Sequence, residues 1–137
     1  MRGRTLAAAA LLVLATALAA CGGGAVESSA PPARLVGPAA FQAAMGEPAR
    51  VTINVHVPDE GSIAGTNLWI PFDDVEARAA ELPPAGTPIA LYCLRGDMSA
   101  EAAPVLARLG YSDIVELEGG FRAWESSGRP LLPPASG

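Results

Sequence analysis

Cys93 is the residue whose position and neighbours best suit it to covalent chemistry. It follows the apolar run Ile89-Ala90-Leu91-Tyr92 and opens the segment Cys93-Leu94-Arg95-Gly96-Asp97-Met98-Ser99, which leads into a helical pattern. A thiol on such a loop meets backbone N–H groups and the positive end of the helix dipole, and both favour the thiolate. Gly96 permits the sharp path that the loop requires. The pattern therefore predicts a nucleophilic sulfur inside an anion-binding loop.

Short apolar strands and two helices are expected to position this loop. Strands are predicted over residues 51–55, 89–92 and 114–117, and helices over residues 72–82 and 100–109. Strands that alternate with helices predict an α/β domain, with a central, mainly parallel sheet and helices on both faces. Ligands of such sheets bind beyond the carboxyl ends of the strands, which is where Cys93 stands. Pro104 conflicts with the second helix, which is expected either to kink there or to begin later.

The N-terminal segment indicates export. Arg2 and Arg4 precede an apolar run that is shorter than the roughly 20 residues of a membrane-spanning helix, so residues 1–20 are predicted to form a secretory signal peptide. Leu18-Ala19-Ala20-Cys21 resembles a bacterial lipobox. That resemblance implies a lipid on Cys21 and a lipoprotein held at the extracytoplasmic face of the cell membrane. The alternative is a plain signal peptide followed by an incidental cysteine.

Composition divides the remaining chain and limits its partners. A net charge of −5 argues against nucleic acid as a partner, because phosphate binding needs clustered Lys and Arg. Residues 21–38 are rich in Gly, Ala, Ser and Pro, and they are predicted to form a flexible tether. The folded domain is expected over residues 39–132 and a disordered tail over residues 133–137. If Cys21 carries a lipid, Cys93 has no disulfide partner in its chain, which indicates either a reactive thiol or one that pairs with another chain; a buried, inert cysteine is the alternative.

Several motifs resemble the rhodanese-like family of sulfurtransferases. The Cys93 loop is similar to that family's active loop, Cys-x-x-Gly-x-x followed by Ser. Residues 53–56 fall where the family usually reads Asp-Val-Arg, and residues 61–66 fall on its Gly-His-Ile-Pro-Gly-Ala stretch. Residues 109–111 and 117–124 resemble its two closing motifs. The resemblance covers nearly the whole mature domain and implies a single rhodanese-like domain.

The resemblance implies sulfur transfer through a Cys93 persulfide. The Cys93 thiolate would take the outer sulfur of a small sulfur-containing donor and pass it to a thiol or cyanide-like acceptor, without a metal or other cofactor. The persulfide would be held by the active loop, which comprises Leu94, Arg95, Gly96, Asp97, Met98 and Ser99. Ser99 either donates a hydrogen bond to the sulfur or caps the helix. Arg95 either pairs with an anionic donor or points into solvent.

The departures from the family pattern affect the expected donor. Met98 stands where many members that use thiosulfate carry a second basic residue, and Asp97 adds a negative charge at the rim of the loop. A dianionic donor is repelled by that charge, so a less charged persulfide or polysulfide is the expected donor. Asn54, His56 and Ser62 also differ from the family pattern. The resemblance therefore does not predict how these three residues support the Cys93 loop, although each can form hydrogen bonds.

Other readings of the same residues point to different classes of protein. A cysteine phosphatase would need Arg at the position that Ser99 occupies. A cysteine hydrolase could use His56 as its base, although a polar role at a strand end suits His56 as well. A zinc site needs three or four protein ligands, and one available Cys and one His fall short of that number. The main alternative is a membrane-tethered, non-catalytic module that binds a partner or senses redox state, and the presence of Cys93 favours turnover over this alternative.

Overall fold

The computed structural model describes residues 30–135. The predicted signal peptide, the lipobox with Cys21 and the first part of the predicted tether lie outside the described residues. Among the helices of residues 30–135, none has both the length and the hydrophobicity to cross a bilayer. The elements in chain order are β1 (Arg34–Val36), α1 (Pro38–Met45), β2 (Val51–Asn54), β3 (Leu68–Trp69), a 3-10 helix (Ala79–Glu81), β4 (Ile89–Tyr92), α2 (Asp97–Arg108), β5 (Ile114–Leu117) and α3 (Gly120–Ser126).

A five-stranded sheet forms the centre of the domain. Its strand order is β1-β5-β4-β2-β3, and every neighbouring pair is parallel. The predicted α/β class is therefore confirmed. β4 and β5 have the predicted bounds, and β2 is one residue shorter than predicted. All residues of β4 and β5 are buried, as expected for strands covered on both faces.

Helices cover both faces of the sheet and form two cores. On one face α2 packs Ala102 and Leu106 against strand residues such as Leu91. On the other face α1 supplies Phe41 and α3 supplies Trp124. The two rings pack edge to face, with their centroids 6.5 Å apart. Burial of large apolar side chains of this kind stabilises the fold by about 1.5–3 kcal/mol each.

The ends of the domain are more ordered than their composition predicts. Residues 34–36, which fall in the predicted flexible tether, form β1 and pair in parallel with β5. Leu35 in this strand is 58% exposed, so burial contributes little there, but pairing at the sheet edge satisfies the backbone groups of the strand. In the predicted tail, the N–H of Ala135 donates to Asp59 Oδ2 over 2.9 Å. The tether prediction is therefore wrong for its last residues.

Residues 72–82 do not form the α-helix that the sequence pattern predicts, so that prediction is wrong. That segment consists of turns and the 3-10 helix Ala79–Glu81, with bonds to the third residue back, such as Glu81 N–H to Arg78 O at 2.9 Å. Pro83 drives Leu82 out of the helical region, to a ψ of 154°. The other predicted helix, α2, begins three residues before its expected start and continues past Pro104, so the expectation of a later start is also wrong.

Candidate active site

Strand β4 delivers Cys93 to the carboxyl edge of the sheet. β4 lies between β2 and β5, and the N–H of Val55 donates to Tyr92 O over 2.9 Å. The Tyr92 side chain is fully buried. Its hydroxyl accepts the N–H of Ile63 at 3.0 Å and bonds Thr66 Oγ1 at 2.7 Å. The residue before Cys93 is thus held by both its backbone and its side chain.

The Cys93 sulfur lies inside the loop that the sequence singles out. Gly96 adopts the left-handed conformation with φ 107°, and its N–H donates to Cys93 Sγ over 3.0 Å. Ser99 Oγ lies 3.5 Å from Sγ and Asp97 Oδ1 lies 3.7 Å from it. Cys93 is 0% exposed. The loop therefore surrounds the sulfur with a backbone donor, a hydroxyl and a carboxylate.

Asp97 stands at the rim of the loop as an exposed carboxylate. The N–H groups of Met98 and of Asp97 itself, the Cys93 thiol and the charge of Arg95 lower the pKa of Asp97. The lowered pKa favours the ionised carboxylate at the rim of the loop. Arg95 is exposed and forms no salt bridge within residues 30–135. Leu94 and Met98 are half-buried.

Helix α3 supports the loop from behind. The N–H of Phe121 donates to Cys93 O over 2.9 Å, and the N–H of Arg122 donates to Leu94 O over 3.1 Å. A Cβ atom at Gly120 would lie 2.4 Å from Cys93 O, so only glycine allows α3 to approach this closely. The resemblance in sequence places these residues in a closing motif. The structure shows that the motif holds the active loop.

A buried carboxyl group stands behind Ser99. Glu116, on β5, is 5% exposed, and its Oε1 lies 2.5 Å from Ser99 Oγ. Burial raises the pKa of the Glu116 carboxyl, and the hydrogen bond with Ser99 opposes that rise. Glu116 is not among the site residues predicted from sequence. The available signal was a carboxylate inside an otherwise apolar buried strand.

The three residues that depart from the family pattern do not contact the sulfur. Asn54, the last residue of β2, bonds to the segment that follows it. Its Nδ2 donates to Gly61 O over 3.1 Å, and its Oδ1 accepts the N–H of His56 at 2.9 Å. His56 Nε2 lies 2.5 Å from Glu60 Oε2, and His56 Nδ1 is buried without a partner. Ser62 pairs through its backbone with Leu132.

The alternative chemistries gain no support from this arrangement. In the part of the chain that the structure describes, the hydrogen-bond partners of Cys93 Sγ are Gly96, Ser99 and Asp97. His56 is not among them; its Nε2 lies beside Glu60. Residues 30–135 also contain no group of three or more His, Cys, Asp or Glu side chains that could hold a metal ion.

Comparison with known families identifies the domain. The profile of the rhodanese-like domain family matches residues 39–127, which is more than half of the chain. The chain belongs to the rhodanese-like domain family. A rhodanese-related protein from Thermoplasma volcanium has a similar structure, with a TM-score of 0.61 and 28% sequence identity, over 72% of this chain and 97% of that one. The rhodanese-like domain of an Anabaena protein shares the fold, with a TM-score of 0.63 and 24% identity, over 72% of this chain and 78% of that one.

Curated relatives of this rhodanese-like domain carry sulfurtransferase names. A sulfurtransferase of Allochromatium vinosum is 31% identical over 67 residues, which are 49% of this chain and 62% of that protein. The thiosulfate sulfurtransferase GlpE of Pseudomonas fluorescens is 40% identical over 50 residues, which are 36% of this chain and 43% of that protein. The chain therefore spans less than two thirds of the length of either relative.

Proposed function

We propose that this rhodanese-like domain is a sulfurtransferase that carries a sulfane sulfur on Cys93. The observation that carries the proposal is the position of Cys93 Sγ, which accepts the Gly96 N–H at 3.0 Å at the end of the central strand. A sulfur held by a backbone donor is stabilised as an anion, both as a thiolate and as a persulfide. The named sulfurtransferases among the relatives support the same chemistry.

The reaction has two displacement steps. The Cys93 thiolate attacks the outer sulfur of the donor, a new S–S bond forms, and the donor's own S–S bond breaks with its electron pair leaving on the rest of the donor. A nucleophilic acceptor, such as a thiol, then attacks the outer sulfur of the persulfide. The S–S bond to Cys93 breaks, and its electron pair returns to the Cys93 sulfur. No net oxidation or reduction of the protein occurs over the cycle.

The charges around the loop favour a donor with little negative charge. Arg95 is the cation of the loop, but Asp97 Oδ1 lies only 3.7 Å from Cys93 Sγ. Like charges at this distance repel a dianion such as thiosulfate more strongly than a monoanionic persulfide. We therefore expect a persulfide or a singly protonated polysulfide, whose reacting sulfur group carries one negative charge, to load Cys93 faster than thiosulfate does.

Intact-protein mass spectrometry tests the proposal. The full chain is exposed to thiosulfate, glutathione persulfide and polysulfide, and the gain of the mass of one sulfur atom is followed over time. Cys93→Ser should abolish this gain and the transfer to an acceptor, whereas Cys21→Ala, the matched control at the chain's other cysteine, should leave both intact. Absence of the adduct with every donor would refute sulfur transfer and favour a binding or redox-sensing module.

We propose that the domain is anchored to the extracytoplasmic face of the cell membrane by a lipid on Cys21. The support is the sequence Leu18-Ala19-Ala20-Cys21 after an apolar segment with a charged start. Metabolic labelling with palmitate should mark the full chain and should fail to mark Cys21→Ala. Labelling that survives this substitution would refute the anchor.

A further inference from the structure

Glu116 is a buried carboxyl group that the proposed reaction does not use. It lies on β5 between Val115 and Leu117, both of which are core residues, and it is 5% exposed. Ionised carboxylates are strongly disfavoured in such surroundings unless a specific partner compensates for the lost water. Within residues 30–135, no salt bridge involves Glu116. Its hydrogen-bond partner is Ser99.

Ser99 connects this carboxyl group to the reactive sulfur. Ser99 Oγ lies 2.5 Å from Glu116 Oε1 and 3.5 Å from Cys93 Sγ. Ser99 is itself 0% exposed, so water does not compete for its hydroxyl group. The three side chains thus form a continuous hydrogen-bonded row from carboxyl to hydroxyl to thiol.

The charge of Glu116 determines which way the Ser99 hydroxyl points. A hydroxyl group has one hydrogen to donate. When Glu116 is ionised, that hydrogen faces the carboxylate, and the lone pairs of Ser99 face the sulfur. The S–H of Cys93 then has two acceptors within reach, Asp97 Oδ1 at 3.7 Å and Ser99 Oγ at 3.5 Å. When Glu116 is protonated, the acid donates to Ser99 Oγ, and the Ser99 hydrogen is free to face the sulfur. The first arrangement suits the thiol and the second suits the thiolate.

We propose that Glu116 is a positioning residue that controls the proton of Cys93 through Ser99. As the S–H bond of Cys93 breaks, its proton moves to Ser99 Oγ and the original Ser99 hydrogen moves to Glu116 Oε1. The thiolate and a neutral carboxylic acid result, so the buried row keeps a single negative charge. The neutral acid then turns the Ser99 hydroxyl toward the thiolate and, after loading, toward the persulfide. The purpose of this step rests on the proposed function, but the proton transfer concerns the thiol alone.

Of the other ionisable groups, Asp97 is the nearest to the sulfur. Its Oδ1 lies 3.7 Å from Cys93 Sγ and accepts the S–H, but Asp97 is the same in every variant compared below and so does not separate their profiles. Arg95 is exposed at the rim of the loop. On β1, Arg34 is in register with Val115, so its side chain lies on the opposite face of the sheet from Glu116. His56, beyond the end of β2, is paired with Glu60.

The pH dependence of Cys93 alkylation by iodoacetamide tests the proposal. The full chain is used with Cys21→Ala, so that the modification reports on Cys93 alone. The Glu116 carboxyl group and the Cys93 thiol each release one proton, and their charges interact. The alkylation rate should therefore rise in two steps with pH. Glu116→Gln keeps the shape of the side chain, and its amide can donate to Ser99 Oγ while carrying no charge. The alkylation rate of this variant should rise in one step, at a pH below that of the upper step in the parent chain.

The two hydrogen bonds place Glu116 Oε1 within about 6 Å of Cys93 Sγ. At that distance charge alone should separate the two profiles by about one pH unit, and the hydrogen bond through Ser99 should add about one unit more. Glu118→Gln is the matched control because it removes the same charge from an exposed residue two positions away. Its profile should coincide with that of the parent chain. Profiles of the parent chain and Glu116→Gln that coincide would overturn the proposal.

Ser99→Ala tests whether Glu116 acts through the hydroxyl group. In the Ser99→Ala background, the shift caused by Glu116→Gln should fall to the part of about one pH unit that charge alone supplies. An undiminished shift would overturn the proposal, because Glu116 would then act on the sulfur by its charge alone. These measurements need no sulfur donor. A failure of Cys93 to accept sulfur is therefore distinguishable from a failure of Glu116 to control its proton.

A measurement without a substitution at Glu116 guards against misfolding of the variant. The carbon-13 shift of the Glu116 carboxyl group, followed against pH in the Cys21→Ala chain, should show a second inflection at the upper alkylation step. A single inflection would contradict the coupling between the carboxyl group and the thiol.

Discussion

Gly120→Ala should destabilise the domain through one close approach between backbone segments. A Cβ atom at this position would lie 2.4 Å from Cys93 O and from Leu94 C, and 2.5 Å from Leu94 O. These are backbone atoms of the active loop, so no side chain can rotate away to make room. The start of α3 would have to move back from the loop, and the hydrogen bonds that Phe121 and Arg122 donate to it would lengthen.

The size of the effect follows from a comparison with Gly128. Gly120 has φ +61° and Gly128 has φ +84°, but no atom lies within 4 Å of a Cβ built at Gly128. Both alanine variants therefore incur about 1–2 kcal/mol of left-handed backbone strain. Overpacking at Gly120 should add about 1–3 kcal/mol, which is a large part of the 5–15 kcal/mol typical of a folded domain.

Urea unfolding measures this difference directly. Trp124 on α3 is 6% exposed and Trp69 on β3 is 41% exposed, so the change in tryptophan emission on unfolding comes mainly from the exposure of Trp124. Gly120→Ala should have the lower unfolding midpoint of the two variants and should load sulfur poorly, since the loop loses its support. Equal free energies of unfolding for Gly120→Ala and Gly128→Ala would refute the view that the contact between α3 and the loop requires glycine.

Two further predictions concern residues beside the sulfur. Tyr92→Phe removes the acceptor of the Ile63 N–H and should lower the free energy of unfolding by about 1–3 kcal/mol in urea titrations, because a buried donor is left without a partner; an unchanged midpoint would contradict this. The pKa of Asp97 is lowered in the fold, so its stabilising contribution is present above its unfolded pKa and is lost as pH falls through its folded pKa. Asp97→Asn should therefore flatten the acid limb of a plot of unfolding midpoint against pH, and a limb as steep as in the parent chain would count against this assignment.

The strands that could be predicted from sequence are those buried on both faces. β4 is a continuous apolar run, and β5 is apolar except for Glu116; such runs carry a strong local signal. β1 and β3 could not be predicted in this way, because they are three and two residues long and exist through pairing with β5 and β2. The helix predicted over residues 72–82 failed because helical spacing is not sufficient where prolines bound the segment.

The candidate site also has a part that could be predicted from local sequence and a part that could not. Cys93 and its loop could be predicted because a strand, a glycine and a helix start follow one another along the chain. The contribution of Glu116 depends on register, since β5 must pair with β4 to bring residue 116 beside Ser99. The support from α3 depends on a close approach at Gly120 that local sequence does not reveal. Contacts between segments distant in the chain were thus the part that sequence reasoning missed.

The position of β1 has a consequence for the synthesis of the protein. β1 is at an edge of the sheet and pairs with β5, with Arg34 in register with Val115. Among the strands of residues 30–135, β1 is made first but cannot pair until β5, which is made last, whereas β2 and β4 can pair earlier. Pairings between such distant segments form late, because a long loop must close before any contact is gained. β1 should therefore stay unpaired until residues 114–117 emerge, and Glu116 would be among the last groups to be enclosed.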